Sequence, residues 1–435
     1  MNWEKTYAEK RVTVEEAAAV IRSGDTVYSS TAGSMPIDLL VAIGNRYQEL
    51  ENVTIWSATA LYPYNFIGPE TQGHIKYHAT FVSVIERAGY KYIDCTSHHF
   101  SRADWFARNR ILPDVYVAEV SAPDENGNMS LGPTGTYQGK TVAEIAKTVI
   151  VQVNPNVPFV YGTERAFLHV DEVDYICESN RGIYTQISAE PTELDEKIAG
   201  HIVPLICDGD CIQIGVGGVS NSVALELVNH KDLGCHTEML GDALVVLAQK
   251  GIINGKKKNL HPGKIIAAFG LGTQFLYDFM HKNETLEMHP QCYVNDPYTV
   301  GRNDNMVSIN SCLACDLTGQ VASEALGFSQ YSCTGGQLDF VRGASLSKNG
   351  RSFLCMNSTA TLKDGTIVSR ITPGLPYGTA VTTPRTDVHY VVTEYGLADL
   401  KDRSIKQRVE ALIHIAHPRF RDELLQQAKE YKIIF

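Results

Sequence analysis

Glu238 is one carboxylate in the run DLGCHTEML, residues 232–240, whose alternating apolar and polar positions otherwise read as a buried strand. A glutamate with an ordinary pKa of about 4.3 is ionised at neutral pH and can attack an activated carbonyl without a base to deprotonate it. In the simpler reading it is a rim carboxylate bonded to the helix that opens near Gly241-Asp242, and position alone favours that one. His236, two residues earlier on the same face, reads as a packed histidine rather than a catalyst.

Upstream, IQIGVGGVSNSVALEL runs from a β segment through Gly215, Val216, Gly217, Gly218 and Val219 into a helix, with Ser220, Asn221 or Ser222 available as its cap. Glycines let a backbone approach a ligand closely, and free N–H groups at a helix start favour an anion or a carbonyl oxygen. A dinucleotide fingerprint fails here, because Asn221 occupies its sixth position. Cys312 and Cys315 have CxxC spacing but no second pair to complete four ligands, so no metal site is expected. The basic run at Lys256, Lys257 and Lys258 reads as a solvated loop end.

The elements that must position these residues alternate β-rich and helical, the pattern of α/β layers on a largely parallel sheet. DTVYSSTAGSMPIDLLVAI, DCIQIGVGGVSNSVALELV and KIIAAFGLGTQFLYDFM each run strand, loop, helix, and place a loop at a strand's carboxyl end, where open α/β sheets bind ligands. The first two align at a constant offset: Ile21 with Ile206, Gly24-Asp25 with Gly209-Asp210, Gly33 with Gly218, Leu40 with Leu225. This predicts an internal duplication, with domains at 1–185 and 190–435 joined through the polar, Pro191-containing stretch between residues 180 and 195. On the parallel sheet of the second half, Glu238 would lie beside Gly215–Gly218.

The bulk numbers narrow the function. A chain of 435 residues, 44% hydrophobic and 20% charged, is ordinary globular material for two or three cores. A net charge of −11 argues against nucleic acid or an anionic membrane surface as partner. The N-terminus lacks a signal pattern and no apolar run is long enough to span a bilayer; with ten cysteines spread along strand-like runs, the expectation is a cytoplasmic protein with reduced thiols.

The ordered motifs GVGGVSNSV, HTEML, YVNDP, INSCLACDLTGQ, GGQLDFVRGAS and VVTEYGLADL resemble the acetyl-CoA hydrolase/transferase family, in particular its 4-hydroxybutyrate/butyrate CoA-transferase branch, across almost the whole chain. The resemblance implies two related open α/β domains of the NagB/RpiA-like CoA-transferase fold with an active site in the cleft between them. It assigns the nucleophile to Glu238, oxyanion donors to Asn295 and the Gly336 backbone, and CoA contacts to residues 215–219, Leu313 and Ser332. It further implies a homodimer moving CoA between short-chain acids such as acetate, butyrate and 4-hydroxybutyrate, with coenzyme A as substrate and no permanently bound cofactor. Hydrolysis through the same glutamate is the alternative, and a non-catalytic CoA-binding module a distant one. Relatives carry a lysine just after the S-x-A stretch; here Ser358-Thr359-Ala360 is followed by Thr361, with Lys363 two positions on. The stretch from Leu61 to Phe100, with His74, His78, His98 and His99, matches loosely and is expected to shape the acyl pocket.

Overall fold

β-branched runs such as VYVAEV and TVIVQV have too few polar positions for a solvent-facing sheet and form strands covered on both faces, while VTIWS alternates buried and half-buried positions. The computed structural model describes residues 3–187, 190–215 and 217–435. The chain divides into two compact units, Met1–Ile187 with Ile266–Val294, and Ser188–Ile265 with Asn295–Phe435. The excursion of residues 266–294 into the first unit is something a single break near residue 187 does not contain.

In the first unit, β1 (Thr26–Ser29), β2 (Val53–Ser57), β3 (Ile75–Ala79), β4 (Asp94–Cys95), β5 (Val115–Val120), β6 (Thr148–Val153) and β7 (Tyr175–Glu178) form a sheet of order β4-β3-β2-β1-β5-β6-β7. Every neighbouring pair is parallel. The interior strand β5, beside the central β1, is buried at every position, and Tyr28, Tyr116, Val151 and Leu168 belong to one core cluster. Helix α1 (Ile37–Asn45) comes after β1 through a loop of small residues. The histidines of the loosely matching stretch all fall here: His74 bonds the Leu50 carbonyl, His78 stacks on Trp56, and burial pushes both His78 and His98 down to about 4.

The second unit repeats this plan. Its strands β8 (Cys211–Ile214), β9 (Gly234–Leu240), β10 (Met306–Ser311), β11 (Arg351–Cys355) and β12 (Tyr390–Thr393) lie in the order β9-β8-β10-β11-β12, matching β2-β1-β5-β6-β7. The register agrees too. Val27 lies opposite Ile55 and Val115, and its counterpart Ile212 lies opposite Cys235 and Val307. Counting on from Ile55 and Cys235, Ala58 in the first unit corresponds to Glu238 in the second. At the end of this sheet the second unit departs from the first: β13 (Gly396–Asp399) turns back to pair antiparallel with β12.

Two helices of the second unit begin at side-chain capping boxes. Thr192 and Asp195 close a capping box at α2 (Glu193–Ile202), and Ser404 with Gln407 does the same at α6 (Ile405–Ile415), which precedes α7 (Pro418–Glu430). Between them in the chain lie α3 (Gly218–Glu226), α4 (Asp242–Gln249) and α5 (Gln337–Leu346). Leu317, Val341, Leu354, Val391, Leu412 and Ile415 share a core cluster that also takes in Cys312 and Cys315. That CxxC is therefore apolar packing, and burial raises both thiols. All ten cysteines are free, and Cys207 alone among them is exposed. Among the described residues no helix is long and apolar enough to cross a membrane.

Candidate active site

Strand β9 buries Cys235, His236 and Thr237 fully, and reaches partly open surface at Glu238 and Met239. The strand is clamped from behind. Lys258, 6% exposed, donates from Nζ to the carbonyls of Cys235 and Lys264, each at 2.9 Å. The third lysine of the basic run is thus a structural cation, which corrects its reading as part of a solvated loop end. An ammonium bound by carbonyls offsets its own desolvation and fixes the strand on which Glu238 stands.

Asn295 is fully buried, and its amide Nδ2 donates to Glu238 Oε2 in a short contact. The asparagine is anchored by the helical turn next in the chain: Asp296 caps that turn by accepting from the Thr299 N–H at 2.9 Å, and Pro297 sits in its first position. The other amide atom, Asn295 Oδ1, is buried and has no hydrogen-bond partner among the described residues. Gly336 caps α5 with φ −98°, a conformation open to any residue, so its glycine identity is a matter of space. A Cβ there would lie 3.0 Å from Glu238 Cδ and press on both Glu238 Oε2 and Asn295 Nδ2. Two residues from distant stretches, Asn295 and Gly336, therefore converge on the Glu238 carboxylate.

Burial raises the Glu238 pKa to about 7; the negative charge of Asp339 adds to the rise, and the Asn295 hydrogen bond opposes it. An ordinary, fully ionised glutamate is the sequence expectation. Desolvation overturns it and brings the titration of this group up towards the neutral range. Asp339, buried in the first turn of α5, is not legible in sequence as part of the site, because in QLDFVRGASL it reads as the usual acid of a helix start.

The glycine loop is tight for two reasons. At Gly215, whose N–H bonds the Ile309 carbonyl at 2.8 Å, a Cβ would lie 2.9 Å from Asn310 Oδ1. At Gly218 it would lie 2.9 Å from Cγ of Asp195, the residue that caps α2 through Thr192. Gly217, with φ 129°, adopts a backbone that L side chains avoid. Val219 is buried in the first turn of α3, and Val216 lies outside the described residues. The close packing at Gly215 and Gly218 follows from strand-helix geometry, and the carboxylate of Asp195 at the start of α3 weakens that helix end as an anion site. Leu313 and Ser332 are half-buried and held through their backbones, by the Ala322 carbonyl at 2.8 Å and the Glu324 carbonyl at 3.0 Å. Lys363 is exposed in the turn between Thr359–Thr361 and Ile367–Ser369.

Comparison with known proteins bears on this geometry. Residues 1–187 match the acetyl-CoA hydrolase/transferase N-terminal domain, and residues 272–428 the C-terminal domain of the same name. The chain is 40% identical to the 4-hydroxybutyrate coenzyme A transferase of Clostridium kluyveri, over 99% of this chain and 100% of that one. It is 41% identical to a succinyl-CoA:cyclohexane-1-carboxylate CoA transferase of Geobacter metallireducens, over 98% and 97%. Among solved structures, RipA from Yersinia pestis superposes with a TM-score of 0.93 at 35% identity, covering all of both chains.

Proposed function

Because the chain belongs to the acetyl-CoA hydrolase/transferase family, we propose that this enzyme is a CoA-transferase that exchanges CoA between short-chain carboxylic acids through a thioester on Glu238. The observation that carries the reading is the enclosure of one carboxylate by the Asn295 amide and by the space left at Gly336.

The chemistry can be written atom by atom. Glu238 Oε1 attacks the acyl-CoA carbonyl, and collapse of the tetrahedral adduct expels CoA thiolate to leave a mixed anhydride. The thiolate then attacks Glu238 Cδ, the acyl carboxylate leaves with Oε1, and the glutamyl-CoA thioester remains. In that step the oxyanion develops on Oε2, the oxygen to which Asn295 Nδ2 already donates. A second carboxylate attacks Cδ, the thiolate leaves and then attacks the new acyl carbon. Acyl-CoA departs and the glutamate is regenerated with one oxygen from the incoming acid. Oε2 stays on its donor throughout.

The names of the relatives include a short acid, 4-hydroxybutyrate, and a ring carboxylate; short-chain acids as substrates and a homodimer with CoA as its only cofactor-like ligand are part of the proposal. The test is chemical trapping. Borohydride should inactivate the enzyme only after incubation with acyl-CoA, and the Glu238→Ala variant should neither transfer CoA nor be trapped. Full activity in Glu238→Ala would overturn the proposal. Rapid thiol release from acyl-CoA without any acceptor acid would show that water resolves the intermediate and would favour hydrolysis.

A further inference from the structure

The face of β9 that presents Glu238 also carries His236, because residues two apart on a strand share a face. His236 is fully buried, and the reaction as derived does not use it. Helix α5 meets this face with its first turn. Gly336 lies against the Glu238 carboxylate, and the Phe340 ring centre is 6.4 Å from that of His236. Residues 336, 339 and 340 lie on one side of a helix by their spacing of three and four, so Asp339 belongs to the same contact. It is 4% exposed.

A buried carboxylate and a buried imidazole in one layer are each costly alone and offset one another when paired. The other charged groups nearby are committed. Arg342 on α5 reaches out to Asp387 at 3.2 Å, Lys258 is bound to backbone carbonyls, and Glu238 is engaged by the neutral Asn295 amide. On β9 the basic side chain is His236, and in the first turn of α5 the acidic one is Asp339.

We propose that His236 and Asp339 form a buried hydrogen-bonded pair joining β9 to α5, and that this pair positions Glu238 and sets the pH at which it becomes nucleophilic. The pair rests on the reading of Glu238 as nucleophile and deepens it. The carboxylate of Asp339 opposes ionisation of Glu238, and the imidazole restrains that effect by holding Asp339 and sharing its charge. Both are positioning residues that act through Glu238.

The experiment is a double-mutant cycle on the full-length enzyme, read as the acid limb of kcat/KM for acyl-CoA. Asp339→Asn should move the limb to lower pH, and His236→Asn should move it to higher pH. In the Asp339→Asn background the His236→Asn shift should vanish, and Asp339→Glu should largely restore the wild-type profile. Equal shifts in either background, or no movement with Asp339→Asn, would overturn the pair. Should the variants not fold, 15N-histidine NMR of the wild-type enzyme serves instead. An exchange-protected ring N–H from His236 is expected, and its absence would overturn the proposal. Transfer activity in Glu238→Gln would count against the nucleophile and leave this NMR signature in place, so the two failures can be told apart.

Discussion

At the scale of single residues, the nucleophile is defined by what surrounds it more than by its own type. Because burial raises Glu238 to about 7, kcat/KM for the first acyl-CoA should fall as pH drops below that value, since the protonated acid does not attack. Asn295→Ala should lower kcat by about 100- to 1000-fold, the usual loss for one oxyanion donor. It should also shift the acid limb to higher pH, because the lost hydrogen bond favours the ionised form. Gly336→Ala tests space rather than chemistry. Its methyl group displaces the Glu238 carboxylate, so transfer should collapse by about 100-fold or more while circular dichroism stays native. Glu238 and Asn295 are legible in HTEML and YVNDP only through the resemblance, since taken alone each reads as a rim or turn residue. Asp339 is not legible at all, because its significance comes from a helix start meeting a strand from a hundred residues earlier.

The elements that carry these residues are more readable. The order strand, small-residue loop, helix is written in the β-branched runs and glycines of both halves, and the constant offset between them reappears as matched strand order and matched register. Tertiary partners are less so. Lys258 reads in sequence as a solvated loop end, yet it clamps β9, because nothing local distinguishes a lysine bound for backbone carbonyls from one bound for water. Asp195 is visible as part of a polar, acidic linker, but its approach to Gly218 depends on how α2 packs beside α3. That contact makes a prediction at this scale. Gly218→Ala should destabilise the enzyme, and Asp195→Ala should relieve much of the loss; melting temperatures of the single and double variants will show whether it does.

At the scale of the whole molecule, the raised glutamate is a stability term as well as a catalytic one. The folded chain keeps the Glu238 proton up to about pH 7, whereas the unfolded chain releases it at an ordinary carboxylate value. Stability from this group is thus complete at low pH and declines as pH rises through that window. The Tm of Glu238→Gln should exceed that of wild type at pH 8 by more than it does at pH 5. Thiols give a second global measure: with Cys207 the exposed cysteine among ten, a disulfide reagent should titrate about one thiol rapidly in the native enzyme and all of them after denaturation.

The returning strand β13 has a consequence for the molecule's life in solution. A parallel sheet ending at β12 would offer a row of unsatisfied N–H and C=O groups to any other chain with a free strand. Gly396–Asp399 takes up that row in the opposite direction, and α6 packs beside it. The last forty residues thereby occupy the β12 edge with a short strand and cover the core cluster with α6 and α7. Shortening the chain just before Gly396 uncovers both the β12 edge and the core cluster that holds Leu412 and Ile415, and should yield aggregates rather than a weakened enzyme.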